Sequence, residues 1–235
     1  MSVFATLVER LADLLQPLFH ASAAAAAIIL FTALVRLLVH PLSRAAARGQ
    51  RAQAALRPKI AELRAKHGKD TERFQKALLE LHAEEKVSPL SGCLPGLLQL
   101  PAFFLLYHLF SSTSLGGEPN SLLTHRLFTA PLGGRWTDAL ADGGAFGTAG
   151  LVYAVLFAVV AAVASFTYVR TRRTAAAQPL PADGQQLPGL AAVGRVTPFL
   201  SFLTLVTVAV VPLAAALYVV TSTTWSAVER AVLYR

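Results

Sequence analysis

The sequence predicts an all-α, polytopic membrane protein, with five transmembrane helices and a cytoplasmic helical hairpin between spans 1 and 2. Three observations predict it. Hydrophobic residues make up 54% of the 235 positions and charged residues only 14%, with a mean hydropathy of +0.53, well outside the range of an ordinary soluble domain. Apolar runs recur at 21–42, 88–112, 148–169, 195–210 and 212–231. Each approaches the roughly 20 residues that a tilted span needs. Between the first two runs lies a polar stretch, 43–87, that carries eleven of the 21 basic residues against six acids.

Residues 1–20 place Val3, Leu7, Leu11, Leu14 and Leu15 on one helical face, with Glu9, Arg10 and Asp13 elsewhere. That pattern is an interfacial amphipathic helix and not a signal peptide, because it has neither a basic leading region nor a small-residue cleavage site. The chain is expected to keep this N-terminus.

Span 1 holds a single charge, Arg36. An Arg at mid-span costs roughly 2.5 to 3.5 kcal/mol, which the surrounding Ile, Leu, Phe and Val residues offset at about 0.3 to 0.6 kcal/mol each. Arg36 lies about one turn from His40 and Pro41, so it either snorkels or faces a polar cavity. Thr32, Arg36 and His40 repeat at four-residue spacing and share a face, which favours a polar stripe.

In 43–87, Leu56, Ile60 and Leu63 repeat at helical spacing, as do Phe74, Leu78 and Leu81. Gly68 reads as a helix stop and Asp70 as an N-cap with Glu72 in the new first turn, while Pro58 reads as the first residue after a break. Two antiparallel helices follow, serving as a topology anchor or as an arm that receives a partner; matched stripes on both arms argue against a solvated linker.

The remaining loops set the orientation. Arg170, Arg172, Arg173 and Arg195 bracket 170–194, whereas 113–147 has only Arg126 and Arg135 against three acids. The positive-inside bias makes 43–87 and 170–194 cytoplasmic and 113–147 extracytoplasmic, so the N-terminus lies outside and Arg235 inside. Within 113–147, Leu122, Leu123, Leu127, Phe128 and Trp136 read as an outer interfacial piece, with His125 as a headgroup contact. The Gly, Pro and Gln-rich stretch 175–190 reads as a flexible loop. The net charge of +8 is a topology signal plus attraction to anionic lipids and needs no nucleic acid. The single cysteine, Cys93, excludes an intrachain disulfide and reads as packing, and no metal-ligand or cofactor pattern occurs.

Residues 87–107, VSPLSGCLPGLLQLPAFFLLY, pair a small-residue turn with Gly-Cys-Leu-Pro, Gln-x-Pro and an aromatic-rich helix. Together with LVRLLVHPLS upstream and TPFLSFLTLVTVAVVPLAAALYVVTSTTWSAVERAVL downstream, this resembles the YidC/Oxa1/Alb3 family of membrane protein insertases over about residues 20–232. The resemblance implies a hydrophilic groove, open to the cytoplasm and the lipid, that inserts and folds nascent membrane proteins alone or with the Sec translocon. It implies the ribosome and the signal recognition particle as further partners, the plasma membrane of a bacterium as the location, and Arg36 as the groove arginine. Candidate groove and client contacts are Arg36, Thr32, Gln99, Tyr107, Ser201, Thr204, Tyr218, Ser222 and Trp225. The serines and threonines have a second reading, since they often bond their own helix's carbonyls.

Three departures stand out. Leu217, Tyr218 and Val219 replace the family's frequent Leu-Tyr-Trp, no basic tail follows Arg235, and no large extracytoplasmic domain is present. An intramembrane hydrolase would need a nucleophile and base, yet neither Gly-x-Ser-x-Gly nor His-Glu-x-x-His occurs, so no enzymatic activity is expected. A small transporter or channel with an Arg-lined polar path stays open as the alternative.

Overall fold

A computed structural model describes residues 2–67, 70–87, 94–115, 117–176 and 197–233. It is mostly helical. Two stretches among these residues are long and apolar enough to cross a bilayer, one within Val3–Leu56 and one over Thr148–Arg173.

Helix α1 (Ser2–Phe19) turns through a short 3-10 segment at His20–Ser22 and doubles back on α2 (Ala23–His67). The ring of Phe4 meets that of Phe31 edge-on at 6.5 Å. The face of α1 that packs on protein is Val8 and Ala12, flanked by Ala5, Leu11 and Leu15, whereas Val3, Leu7, Leu14 and Leu18 stay exposed. The helix thus carries apolar residues on two sides where the pattern had indicated one.

The break expected at Pro58, and a helix end near Pro41, do not occur. Both prolines lie inside α2, which continues for 45 residues, about 68 Å at 1.5 Å per residue. A proline costs a helix about 3 kcal/mol, but Ala, Arg, Leu, Gln and Lys, the strongest helix formers, dominate the segment around both. The first span and the first arm of the polar segment are therefore one rod.

Helix α3 (Thr71–Glu84) begins at Asp70, whose Oδ1 accepts from Arg73 N at 3.1 Å while Oδ2 pairs with Arg73 Nε at 3.0 Å. Leu56 and Leu81 are buried where α3 meets α2, and Ile60, Leu63, Phe74 and Leu78 are half-buried. A Lys59–Glu85 ion pair ties α2 to the end of α3. Gly68 and Cys93 lie outside the described residues.

Helix α4 (Leu94–Ser111) leads into 113–147, where two short ladders interrupt an otherwise helical chain. Two antiparallel ladders form, β1 (Ser114–Leu115) with β2 (Glu118–Pro119) and β3 (Arg126–Leu127) with β4 (Ala130–Pro131). Helix α5 (Trp136–Gly143) follows. The segment packs against the core, with Leu122, Ala130 and Leu132 fully buried. Trp136 packs inward, tilted against Tyr153 and edge-on to Phe157, at 5.6 and 5.3 Å between centroids. Phe128, by contrast, is exposed at the tip of the β3–β4 turn, with a positive φ of 53°.

Helix α6 (Thr148–Ala176) runs beyond residue 169, where a loop had been expected; 175–190 lies almost wholly outside the described residues. The fourth apolar run is a 3-10 segment, Thr197–Phe202, followed by an eight-residue helix, α7 (Leu203–Val210). Val211 is extended, with a ψ of 157°, as a residue before proline prefers, and Pro212 opens α8 (Leu213–Leu233).

The loop 113–147 then caps two helix ends. A helix leaves its first N–H groups without internal partners. In α8 those of Leu213 and Ala214 donate to the carbonyls of Gly134 and Leu132, both at 2.8 Å. The Gly134 carbonyl also accepts from the Tyr153 hydroxyl at 2.7 Å. At the end of α4, buried Asn120 donates through Nδ2 to the carbonyls of Leu109 and Ser112, each at 2.9 Å, and its Oδ1 accepts from Leu122 N. The core runs from this cap along the inward faces of α1, α2, α4, α6 and α8.

Asn120→Ala strands two carbonyls and one buried N–H, each costing about 1 to 3 kcal/mol. The expected loss of stability is about 3 kcal/mol or more, read as thermal unfolding in detergent. Thr124→Ala, at an exposed hydroxyl of the same loop, is expected to change stability by less than about 0.5 kcal/mol.

Candidate functional site

The polar seam lies between α2 and α8. Helix α8 carries Ser222, Ser226 and Glu229 at i, i+4 and i+7, and α2 carries Arg36 and His40 at i and i+4, so each set shares one helical face. The Arg36 Nε donates to Ser222 Oγ at 3.2 Å. Its Nη2 donates to Ser222 Oγ at 2.7 Å, to the Ser222 carbonyl at 2.8 Å and to Ser226 Oγ at 2.7 Å. His40 Nδ1 meets Glu229 Oε1 at 2.6 Å, one turn further along both helices.

All of these acceptors of Arg36 are neutral. Among the described residues no carboxylate ion-pairs with it, and Glu229 is engaged by His40. The serines thus hold the guanidinium in place and replace part of its hydration without cancelling its charge. Arg36 is half-buried, so part of it faces out of the helix pair.

The seam continues into an aromatic cluster. Tyr218 stands one turn before Ser222 on the same face of α8. Tyr218 is buried beneath Phe103 and Phe110 of α4, at 5.9 and 6.0 Å, and Phe103 stacks on Tyr107 at 5.8 Å. On the adjacent side of α8, a cavity of about 180 Å³ opens between α6, α7 and α8. Ser201, Thr204, Thr167, Thr223, Ser226 and Arg230 supply its polar lining, so Ser226 belongs both to the Arg36 seam and to the cavity wall.

The structure therefore joins Arg36, Ser222, Tyr218 and, through Phe103, Tyr107, and it sets Ser201 and Thr204 on the neighbouring cavity. Two candidates depart from expectation. Thr32 is buried and donates to its own helix at the Ile28 carbonyl, 2.7 Å away, so it is a packing residue. Trp225 is half-buried and stands outside this network among the described residues. Gln99 falls in α4, but its side chain lies outside what is described. Ser226 and Glu229 were missed, although their spacing from Ser222 is the same helical repeat that singled out Arg36 and His40.

The family profile described as 60Kd inner membrane protein matches residues 15–235. The chain is 45% identical over 94 residues to a membrane protein insertase YidC of Anaeromyxobacter sp. (strain Fw109-5), a stretch covering 40% of this chain and 17% of that protein. It is 44% identical over 94 residues to the protein of the same name in Magnetococcus marinus, with the same coverage. A third relative so named, from Laribacter hongkongensis, is 41% identical over 102 residues, 43% of this chain and 18% of that protein. The matches thus span under a fifth of these relatives' length, whereas the family profile takes in nearly the whole chain, and on that match the chain belongs to the 60Kd inner membrane protein family.

Proposed function

We propose that this chain is a membrane protein insertase and chaperone, and that Arg36 draws acidic segments of a nascent client into a polar groove between α2, α6, α7 and α8. The observation that carries the reading is the neutral coordination of Arg36: a cation held in place by serines and unpaired with any described carboxylate keeps its attraction for an incoming anion. That attraction strengthens in a partly dehydrated site, because the Coulomb energy rises as the effective dielectric falls. The insertase name of the relatives supports the same reading. No covalent step or nucleotide is required, since burial of the client's own apolar span supplies the driving force.

In this reading the apolar runs form five spans with the N-terminus outside and the C-terminus cytoplasmic, in the plasma membrane of a bacterium. The α2–α3 hairpin then projects into the cytoplasm, where nascent chains arrive from the ribosome, the signal recognition particle or the Sec translocon. The loop that caps α8 closes the outer end, leaving the groove open to the cytoplasm and lipid. Basic residues at the inner face attract anionic lipid.

The test is insertion of a single-span client with an acidic N-terminal tail into vesicles holding the purified chain, followed by protease protection. One charge pair about 5 Å apart in a medium of effective dielectric near 20 is worth roughly 3 kcal/mol. Arg36→Ala is expected to slow insertion at least about tenfold; equal rates would reduce Arg36 to a snorkelling anchor, and ion conductance by the same vesicles would favour a channel.

Ser222→Ala removes two of the four bonds that orient Arg36 but not its charge. The expected outcome is a few-fold slower insertion, smaller than the effect of Arg36→Ala, with the preference for acidic tails retained.

A further inference from the structure

A second polar cleft, of about 440 Å³, lies between α2, α6 and α8, lined by Gln50, Phe166, Thr167, Arg170, Thr171 and Arg230. Among the described residues it contains two arginines and no acid. Glu229, adjacent to Arg230, points instead at His40. Elsewhere Thr32, Thr207 and Thr223 quench their hydroxyls on their own helices' carbonyls. Thr167 and Thr171 have no such bond among the described residues, although both are half-buried. Two guanidinium groups and two open hydroxyls facing one cleft match the oxygens of a phosphate, which arginine recognises with its planar fork of donors.

The surface below the cleft decides between a soluble phosphate and a lipid. Val155, Val159 and Phe166 lie on one face of α6 and are 66%, 40% and 46% exposed. They form an apolar track about 17 Å long at 1.5 Å per residue, close to half the roughly 30 Å hydrocarbon core. Arg170 stands where the apolar run of α6 ends, at the depth of headgroups. A charged pocket continuous with an apolar track of acyl-chain length has the chemistry of one amphipathic ligand. We propose that this cleft holds the phosphate of an anionic phospholipid, with Arg170 and Arg230 on its oxygens and one acyl chain along Phe166, Val159 and Val155. A lipid so placed would form part of the wall beside the groove, because Arg230, Thr167 and Ala227 also line the cavity that Ser226 shares.

The experiment compares spin-labelled phosphatidylglycerol with spin-labelled phosphatidylcholine in vesicles holding the full chain, reading the motionally restricted fraction by electron paramagnetic resonance. The expected result is a relative association of phosphatidylglycerol about fivefold above phosphatidylcholine, at about the strength of one basic residue at the membrane surface. Arg170→Gln should abolish that preference and Arg170→Lys should keep most of it. Thr167→Val, which preserves volume, should lower it about twofold. Arg172→Gln, on an exposed arginine of the same helix outside the cleft, should leave it unchanged. Equal restriction of the two lipids would overturn the proposal. So would equal losses in Arg170→Gln and Arg172→Gln, which would mark a diffuse surface attraction. Displacement of the labelled lipid by millimolar glycerol 3-phosphate would overturn the lipid assignment in favour of a soluble phosphate.

Discussion

The contact between Arg36 and the serines of α8 is the constraint to which the rest of the architecture answers. A guanidinium inside an apolar helix pair is costly unless its donors are satisfied, and a carboxylate partner would satisfy them only by removing the charge. Two hydroxyls and one main-chain carbonyl provide a third solution, which holds the cation and leaves its field intact. That solution needs α8 at one register against α2, since a rotation of one residue along α8 would present Thr223 or Thr221 to Arg36 at a different height. Thr223 is already bonded to the carbonyls of Val219 and Val220.

The register is set at the other end of the molecule. The carbonyls of Gly134 and Leu132 receive the first N–H groups of α8, and Tyr153 of α6 donates to the same Gly134 carbonyl. The loop between α4 and α6 thereby fixes the start of α8, while α8, nine and thirteen residues on from Leu213, fixes Arg36. Apolar packing of Leu213 to Val220, all buried, fills the distance between. One end of the bundle is closed by hydrogen bonds and packed side chains; the end near Arg36, Ser226 and Arg230 carries the clefts. That asymmetry is what a groove with one open side requires.

Much of this was legible from residue spacing, and the failures have physical causes. Arg36 and His40 were found because charge is conspicuous in an apolar run, and Asp70 because an acidic N-cap followed by Glu72 is a local signal. The stripes on α2 and α3 follow helical periodicity, which survives without tertiary information. Thr32 shared the Arg36 face, but a threonine can satisfy itself on its own carbonyl, and spacing cannot show which choice it makes. Pro41 and Pro58 were read as boundaries because proline is a strong local breaker; the propensity of some forty neighbours outweighs it. The loop 113–147 was opaque because its order comes from long-range bonds, such as Asn120 to Leu109 and Gly134 to Leu213, that no local pattern encodes. Val8 packs inward and Leu7 outward on a helix that is apolar on both sides, so hydrophobicity could not choose the face.

The central claim is that the Arg36 charge, and not the shape of its side chain, acts on the client. The most direct measurement is the insertion rate of a client series whose N-terminal tail carries none, one or two acids, in vesicles without a membrane potential, for the wild type and for Arg36→Gln. The account predicts a rate that climbs with each tail acid in the wild type and is flat in Arg36→Gln, so that the two effects couple. Parallel slopes in the two proteins would contradict it, because the tail acids would then be acting somewhere other than on Arg36.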